Sequence, residues 1–209
     1  MGERDPLILA IDTSTPACTA ALIGARGEVF AQRDDLIGRG HAEHLVPMLR
    51  EMVEGHIPTR ILVGVGPGSF TGLRIGIAAA HGLAIGWDVP LNGFSSLALH
   101  AVGVPGDGPI GVAISGGHGE LFVQSFDRGP LRATGPIENL TPTAAAARIA
   151  APLIVGSGAA ALAAQRGSGE AIDLLPSAAW ALRLPEEMRS LPPSPVYARP
   201  PDAKVKAAA

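Results

Sequence analysis

Short apolar runs at Leu7 to Thr13 and Ala17 to Ile23 are separated by Ser14-Thr15-Pro16. A third run, Val29 to Arg33, follows the turn residues Ala25-Arg26-Gly27-Glu28. Runs of this length between tight turns predict an antiparallel meander that opens a mixed sheet. In residues 41 to 54 the period changes. Leu45, Val46, Leu49, Met52 and Val53 recur at i, i+1, i+4, i+7 and i+8, which gathers them on one helical face, with Pro47 in an early turn. A strand from Arg60 to Gly66 is broken by Pro67-Gly68-Ser69. A helix is expected over Phe70 to Trp87, then a strand over Pro90 to Phe94 and a helix over Ser95 to Val102.

The second half begins after VPGDGP at 104 to 109. Strands are expected at Ile110 to Ser115, Glu120 to Phe126, Leu131 to Thr134 and Leu153 to Val155. Helices are expected at Thr141 to Ala150, capped by Thr141 or Thr143, at Ala159 to Arg166 and at Ser177 to Leu184. No repeat of 20 to 50 residues is visible to the eye. The order implies an α+β chain with mixed sheets in two lobes, residues 1–104 and 105–191, and a Pro-rich tail at 192–209.

The 70–87 helix is apolar nearly all round, as in helices buried on more than one side. Gly72, Gly76, Ala79, Gly82 and Gly86 fall within roughly 120° of arc at 100° per residue, a stripe of small residues that permits close packing. Arg74 and His81 lie opposite, flanked by Ile77, Ala78 and Ile85. Each Gly costs ~1 kcal/mol relative to Ala in a helix, so four of them need a packing reason. One face can pack on the chain's own sheet and the other under the first helix; alternatively, one face is an interface with another chain.

Composition sharpens the second option. The chain has 209 residues, of which 47% are hydrophobic and only 17% charged, against about a quarter charged in typical domains. Such a chain covers much of its surface with apolar atoms or with a partner. A single Cys excludes an internal disulfide and a cysteine-based zinc site. The net charge of −3 gives no pull toward nucleic acid. Glu3, Arg4 and Asp5 precede a short apolar run broken by Asp12, unlike a signal peptide, and no apolar stretch reaches the ~20 residues of a spanning helix. A soluble, cytoplasmic protein is expected.

Candidate chemistry is sparse. The glycine loop Gly64 to Gly72 joins a strand to a helix N-terminus, where backbone N–H groups can hold an anion. It lacks the Lys-Ser/Thr pair of a Walker A loop, and Pro67 and the missing downstream acid set it apart from a dinucleotide fingerprint. A tight turn with Ser69 or Thr71 capping the helix is the plainer reading. Asp12, at a strand end, can serve as base, metal ligand or turn cap. His41 and His44 stand at i, i+3 with no third ligand evident and no His-Glu-x-x-His pattern. Cys18 reads as a core thiol. His118 sits on the glycine-rich turn at 115–120, without a nucleophile elbow beside it. No catalytic residues, metal or cofactor are expected.

The segments ILAIDTSTPACTAAL at 8–22, HAEHLVPMLREM at 41–52 and VGVGPGSFTGLRIGIAAAHGLA at 63–84 resemble the bacterial TsaB family. ISGGHGELFV at 114–123 and the Tyr-x-Arg ending within PVYARPPDAK at 195–204 add weaker matches, and the likeness is loose between 128 and 190. The resemblance implies the actin-like fold of sugar kinases and Hsp70, with two lobes each built on a mixed sheet. It also implies a part in forming threonylcarbamoyladenosine beside the anticodon of tRNAs reading codons that start with A. In that role the chain is the non-catalytic partner of the paralogue TsaD, which carries the metal and transfers the group. TsaE, an ATPase, joins the complex, and tRNA is met only through it. The family's homodimers in the absence of TsaD use the same two helices, here about 41–54 and 70–87. On these helices Leu45, Leu49, Met52, Arg74, Ile77, His81 and Ile85 are the expected contact residues. Ile77→Glu is expected to abolish partner binding and leave the monomer folded.

Departures from active relatives point the same way. Thr13, Ser14, Thr15 and Pro16 follow Asp12 where ATP-binding relatives carry glycines. His41 and His44 lack the i, i+4 spacing of TsaD's metal ligands. Ser115 stands where many members have an acid. A small phosphotransferase or a metallopeptidase of the same fold are the alternatives.

Overall fold

A computed structural model describes residues 6–198. The meander forms as expected: β1 (Leu7–Asp12) pairs antiparallel with β2 (Ala17–Gly24), and β2 with β3 (Val29–Leu36). β2 is buried on both faces and rich in Ala, which lets helices approach it closely; β3, at the sheet edge, is mostly exposed. α1 (His41–Met52) leads into β4 (Arg60–Gly64), α2 (Phe70–Trp87) into β5 (Leu91–Phe94), and α3 (Ser96–Gly103) follows, capped by Ser95 Oγ accepting from Ala98 N. The sheet order is β3-β2-β1-β4-β5, with β4 and β5 parallel to β1. Pro47 lies in the second turn of α1 rather than near its start, and leaves the Glu43 carbonyl without its i+4 donor.

The second lobe comprises β6 (Pro109–Ser115), β7 (Leu121–Arg128), β8 (Leu131–Ala133), β9 (Glu138–Leu140), α4 (Pro142–Arg148), β10 (Leu153–Val155), α5 (Ala159–Arg166) and β11 (Glu170–Ile172). Its order, β8-β7-β6-β10-β11, repeats that of the first sheet strand for strand and sense for sense, with β9 added beside β7. The duplication leaves an echo in sequence. Val65-Gly66-Pro67-Gly68 after β4 and Val155-Gly156-Ser157-Gly158 at the end of β10 share a Val-Gly-x-Gly pattern, and Gly66 and Gly156 have φ +99° and +107°. Three residues in common fall below what a search by eye for a repeat detects. The two mixed sheets in two lobes are the actin-like architecture.

The layers alternate. One face of the first sheet (Leu9, Ile11, Cys18, Ala20, Ile61, Val63) packs under α1 and α2. The opposite face (Ala10, Ala21, Ile23, Leu62) shares a single core with α3 and with Ile110, Val112, Ile114, Phe122 and Phe126 of the second sheet. α4 and α5 cover the outer side of that sheet around Val123, Ile154 and Leu162. Arg128 stakes down the inter-lobe linker by donating to the carbonyls of Val104, Pro105, Asp107 and Gly108.

The chain after β11 departs from the expected lobe boundary. Residues 178–183 form a 3-10 helix rather than an α-helix, and they pack on the first lobe. Ala178 N donates to Thr19 Oγ1 at 2.8 Å, and Ala178, Ala181 and Leu184 enter the shared core. α6 (Glu186–Arg189) follows, and Leu191 then bridges to Gly93 on the free edge of β5 by a pair of backbone hydrogen bonds of 2.7 and 3.0 Å. Val196 N donates to Val65 O at 2.8 Å. The tail from 192 is thus a strap on the first lobe as far as it is described; Arg199 of the Tyr-x-Arg ending lies outside the described residues.

Candidate partner interface

α2 starts where the glycine loop stops. Ser69 Oγ accepts from Gly72 N at 3.1 Å, which makes Ser69 the cap, and Ser69 N donates to Ser14 O at 2.7 Å. A β-carbon at Gly68, Gly72 or Gly76 would overlap Ser14 O, Thr13 O or Thr13 Oγ1, while Thr13 Oγ1 itself donates to Gly72 O at 2.7 Å. The first half of the small-residue stripe is therefore explained within the chain: it seats α2 against the β1–β2 turn. The second half is not. A β-carbon at Gly82 or Gly86 would meet nothing within 4 Å, and Ala79 between the halves is half-buried.

The expected contact residues divide in the same way. Leu45, Leu49 and Ile77 are 0%, 3% and 7% exposed and belong to the core under the helices, so they are not available to a partner. The Ile77→Glu expectation is corrected with them: that substitution would place a carboxylate in the core and unfold the monomer. Met52 is half-buried at the core margin; Arg74, His81 and Ile85 are exposed, Ile85 by 81%. Val46, on the α1 edge, is 60% exposed. The outward face of α2 carries Thr71, Ala78, Gly82, Ile85 and Gly86, all exposed and uncharged, with the exposed Arg74 and His81 along one edge. Between the two helices runs a groove of about 940 Å³ walled by Val46, Val53, Ala79, Leu83 and Trp87, with Arg50, Glu51 and Glu54 along its rim.

Arg74 and His81 are held by the strap. Arg74 Nε donates to Tyr197 Oη at 3.0 Å, its Cζ stands 3.7 Å over the Phe70 ring centroid, and the Phe70 and Tyr197 rings lie 5.2 Å apart. His81 Nε2 lies 3.2 Å from Pro193 O, a distance at which its N–H donates. Phe70 and Tyr197 are 127 residues apart in sequence, and no local pattern joins them.

A second concavity of about 1060 Å³ opens between the lobes, lined by Ser14, Thr15, the glycine loop, Ser115 to His118 and Val196 to Ala198. Asp12 is fully buried, with Oδ1 accepting from Ser14 N and Ser14 Oγ at 2.8 and 2.6 Å and Oδ2 from Ser96 Oγ at 2.7 Å. The carboxylate thus organises the turn that Gly68 and Gly72 pack on. His41, buried at the α1 start, lies 3.0 Å from Thr15 O, whereas His44 pairs with Asp35 at 2.8 Å, so the two histidines serve different partners. Among the described residues no three His, Cys, Asp or Glu groups converge as a metal site. Hydrogen bonds from Arg33 and His44 hold the Asp35 carboxyl below the usual range. Burial, with Asp35 and Asp12 adding to it, pushes the Cys18 thiol up to about 11, as suits an inert core residue. Among the described residues no helix is long and apolar enough to cross a membrane.

Comparison with known proteins agrees with this architecture. The family described as "TsaD: tRNA N6-adenosine threonylcarbamoyltransferase" matches residues 34–163. The tRNA threonylcarbamoyladenosine biosynthesis protein TsaB of Escherichia coli K12 is 40% identical over 129 residues, 58% of this chain and 55% of that protein. The protein of the same name from Bacillus subtilis 168 is 30% identical over 141 residues, 64% of this chain and 61% of that one. The chain thus spans about half the length of the curated relatives it matches. The solved structure of YeaZ from Pseudomonas aeruginosa superposes with a TM-score of 0.76 at 30% identity, covering 92% of this chain and 99% of that one. With motifs, sheet order and superposition in agreement, the chain belongs to the TsaB (YeaZ) family.

Proposed function

We propose that this chain is a non-catalytic subunit that docks, through the outward face of α2 and the adjoining edge of α1, on a TsaD-type transferase, and so serves threonylcarbamoyladenosine formation on tRNA. The observation that carries the reading is the exposed, largely apolar face of α2 around Ile85, with Arg74 at its edge, beside the exposed Val46. A long apolar face without cover is unusual on a protein that acts alone. The names of the relatives supply the reaction, and the closed surroundings of Asp12 support a role without chemistry of its own. The TsaE-type ATPase and tRNA join through the transferase complex in this scheme, in the cytoplasm, and a homodimer through the same face forms when the transferase is absent.

The test is Ile85→Glu. Its side chain points to solvent, so the variant keeps the wild-type melting temperature, while a carboxylate at the centre of the interface lowers affinity for the transferase at least 100-fold by calorimetry. Undiminished binding by a folded Ile85→Glu variant would place the interface elsewhere.

A further inference from the structure

We infer that Arg74 is a preset anchor for a carboxylate of the partner protein, and that the strap at 191–197 is what presets it. This rests on the docking face proposed above and adds the chemistry that the partner must bring to it.

Arg74 differs from the other arginines whose contacts are seen. Arg33, Arg60, Arg132, Arg148 and Arg189 each face a carboxylate, and Arg128 and Arg166 spend their donors on backbone carbonyls. Arg74 is fixed, yet faces no carboxylate among the described residues. One guanidinium face lies on the Phe70 ring, Nε is committed to the Tyr197 hydroxyl, and its two terminal nitrogens meet no acceptor among the described residues. Stacking and one hydrogen bond remove most of the side chain's rotamer freedom in advance, leaving a planar pair of donors that suits a carboxylate.

Position supplies the second half of the argument. At 100° per residue, Arg74 lies about 40° from Ala78 and about 20° from Ile85 around the α2 axis. A protein that covers Ala78 and Ile85 therefore also covers the guanidinium. A cation taken out of water without a counter-charge costs several kcal/mol, so a partner that binds this face must place an acid there. The strap enters because Tyr197 is the hydrogen-bond acceptor for Arg74 and Pro193 O the acceptor for His81.

The experiment measures the affinity of the full chain for the transferase by calorimetry, with Arg74→Gln, Arg74→Lys and Tyr197→Phe, and with single neutralisations of the transferase's surface acids. Arg74→Gln is expected to weaken binding 10- to 100-fold at an unchanged melting temperature, and Arg74→Lys nearly as much, since Lys offers no planar fork. Tyr197→Phe is expected to cost about threefold. One acid-to-amide change on the transferase should reproduce the Arg74→Gln loss and add nothing to it in the double variant. Wild-type affinity of Arg74→Gln, or losses that add with every acid tested, would overturn the inference. So would unchanged protein affinity with weakened tRNA binding by the complex, which would assign the anion to RNA. If Ile85→Glu also binds normally, the docking face itself is misplaced; if Ile85→Glu fails and Arg74→Gln binds, only the anchor is wrong.

Discussion

Gly82→Ala separates the stability of this protein from its docking. Gly82 lies in the interior of the 18-residue α2, and a methyl group there would touch nothing within 4 Å. Ala in place of Gly at such a site gains about 1 kcal/mol of helix propensity. For a chain of this size that raises the melting temperature by roughly 2–4 °C. Gly72, ten positions earlier on the same helix, predicts the opposite, because its β-carbon would overlap the Thr13 carbonyl oxygen. Relief there needs movement of the β1–β2 turn, which Asp12, Ser14 and Ser96 hold, so a loss of about 1–3 kcal/mol follows. In the complex Gly82 changes sign. A methyl group added to a closely packed interface costs about 1–3 kcal/mol, or roughly 5- to 150-fold in affinity. The assays are thermal unfolding by circular dichroism and titration calorimetry against the transferase. A lowered melting temperature for Gly82→Ala would refute the packing of α2 described above. A raised melting temperature with unchanged affinity would refute the placement of Gly82 in the interface.

Two further outcomes concern the core and the linker. His100 is 1% exposed, with Nδ1 2.8 Å from Ser96 O, and burial lowers its pKa from 6.5. The folded protein then favours the neutral ring while the unfolded chain takes up a proton, so this contribution to stability is present above about pH 6.5 and is lost as the pH falls below it. Urea unfolding from pH 7.5 to 5.5 measures the slope, and a flat profile would contradict the buried neutral ring. Arg128→Ala removes the donor to four linker carbonyls and is expected to cost roughly 1–3 kcal/mol in urea unfolding; a loss below measurement error would show that the linker does not need its stake.

The span of α2 was legible to the residue because its signals agree: a Gly-Pro-Gly break, a serine cap and an uninterrupted apolar run. Which side of α2 faces inward was not. A helix apolar all round has little amphipathic asymmetry to orient it, and Ile77 and Ile85 look alike in sequence although one is core and the other surface. The α1 pattern is amphipathic, yet it groups Val46, 60% exposed, with Leu45 and Leu49, which are core rather than the expected contact residues. β9 (Glu138-Asn139-Leu140) and β11 (Glu170-Ala171-Ile172) are three residues long and partly polar, so neither shows the apolar run that marks the equally short β10. The duplicated sheet order emerged only from pairing, since the lobes share topology and little sequence. The strap contacts join residues more than 100 positions apart, and nothing local announces such pairs. At Asp12 the sequence offered base, ligand or cap, and only the hydrogen bonds from Ser14 and Ser96 decide for the cap.

The return of residues 178–191 to the first sheet has a consequence for biosynthesis. Ala178, Ala181 and Leu184 help to cover Ala21 and Ile23, and Leu191 closes the β5 edge at Gly93. The lobe that leaves the ribosome first is therefore completed last. A nascent chain halted before residue 177 has the strands of both sheets, but lacks part of the inner cover of the first and keeps an open strand edge, the kind of surface that aggregates or recruits chaperones. Synthesis of the last helical turns and the strap ends that exposure, and in the same step it puts Tyr197 beside Arg74. The docking face is thus finished only on chains translated past Tyr197.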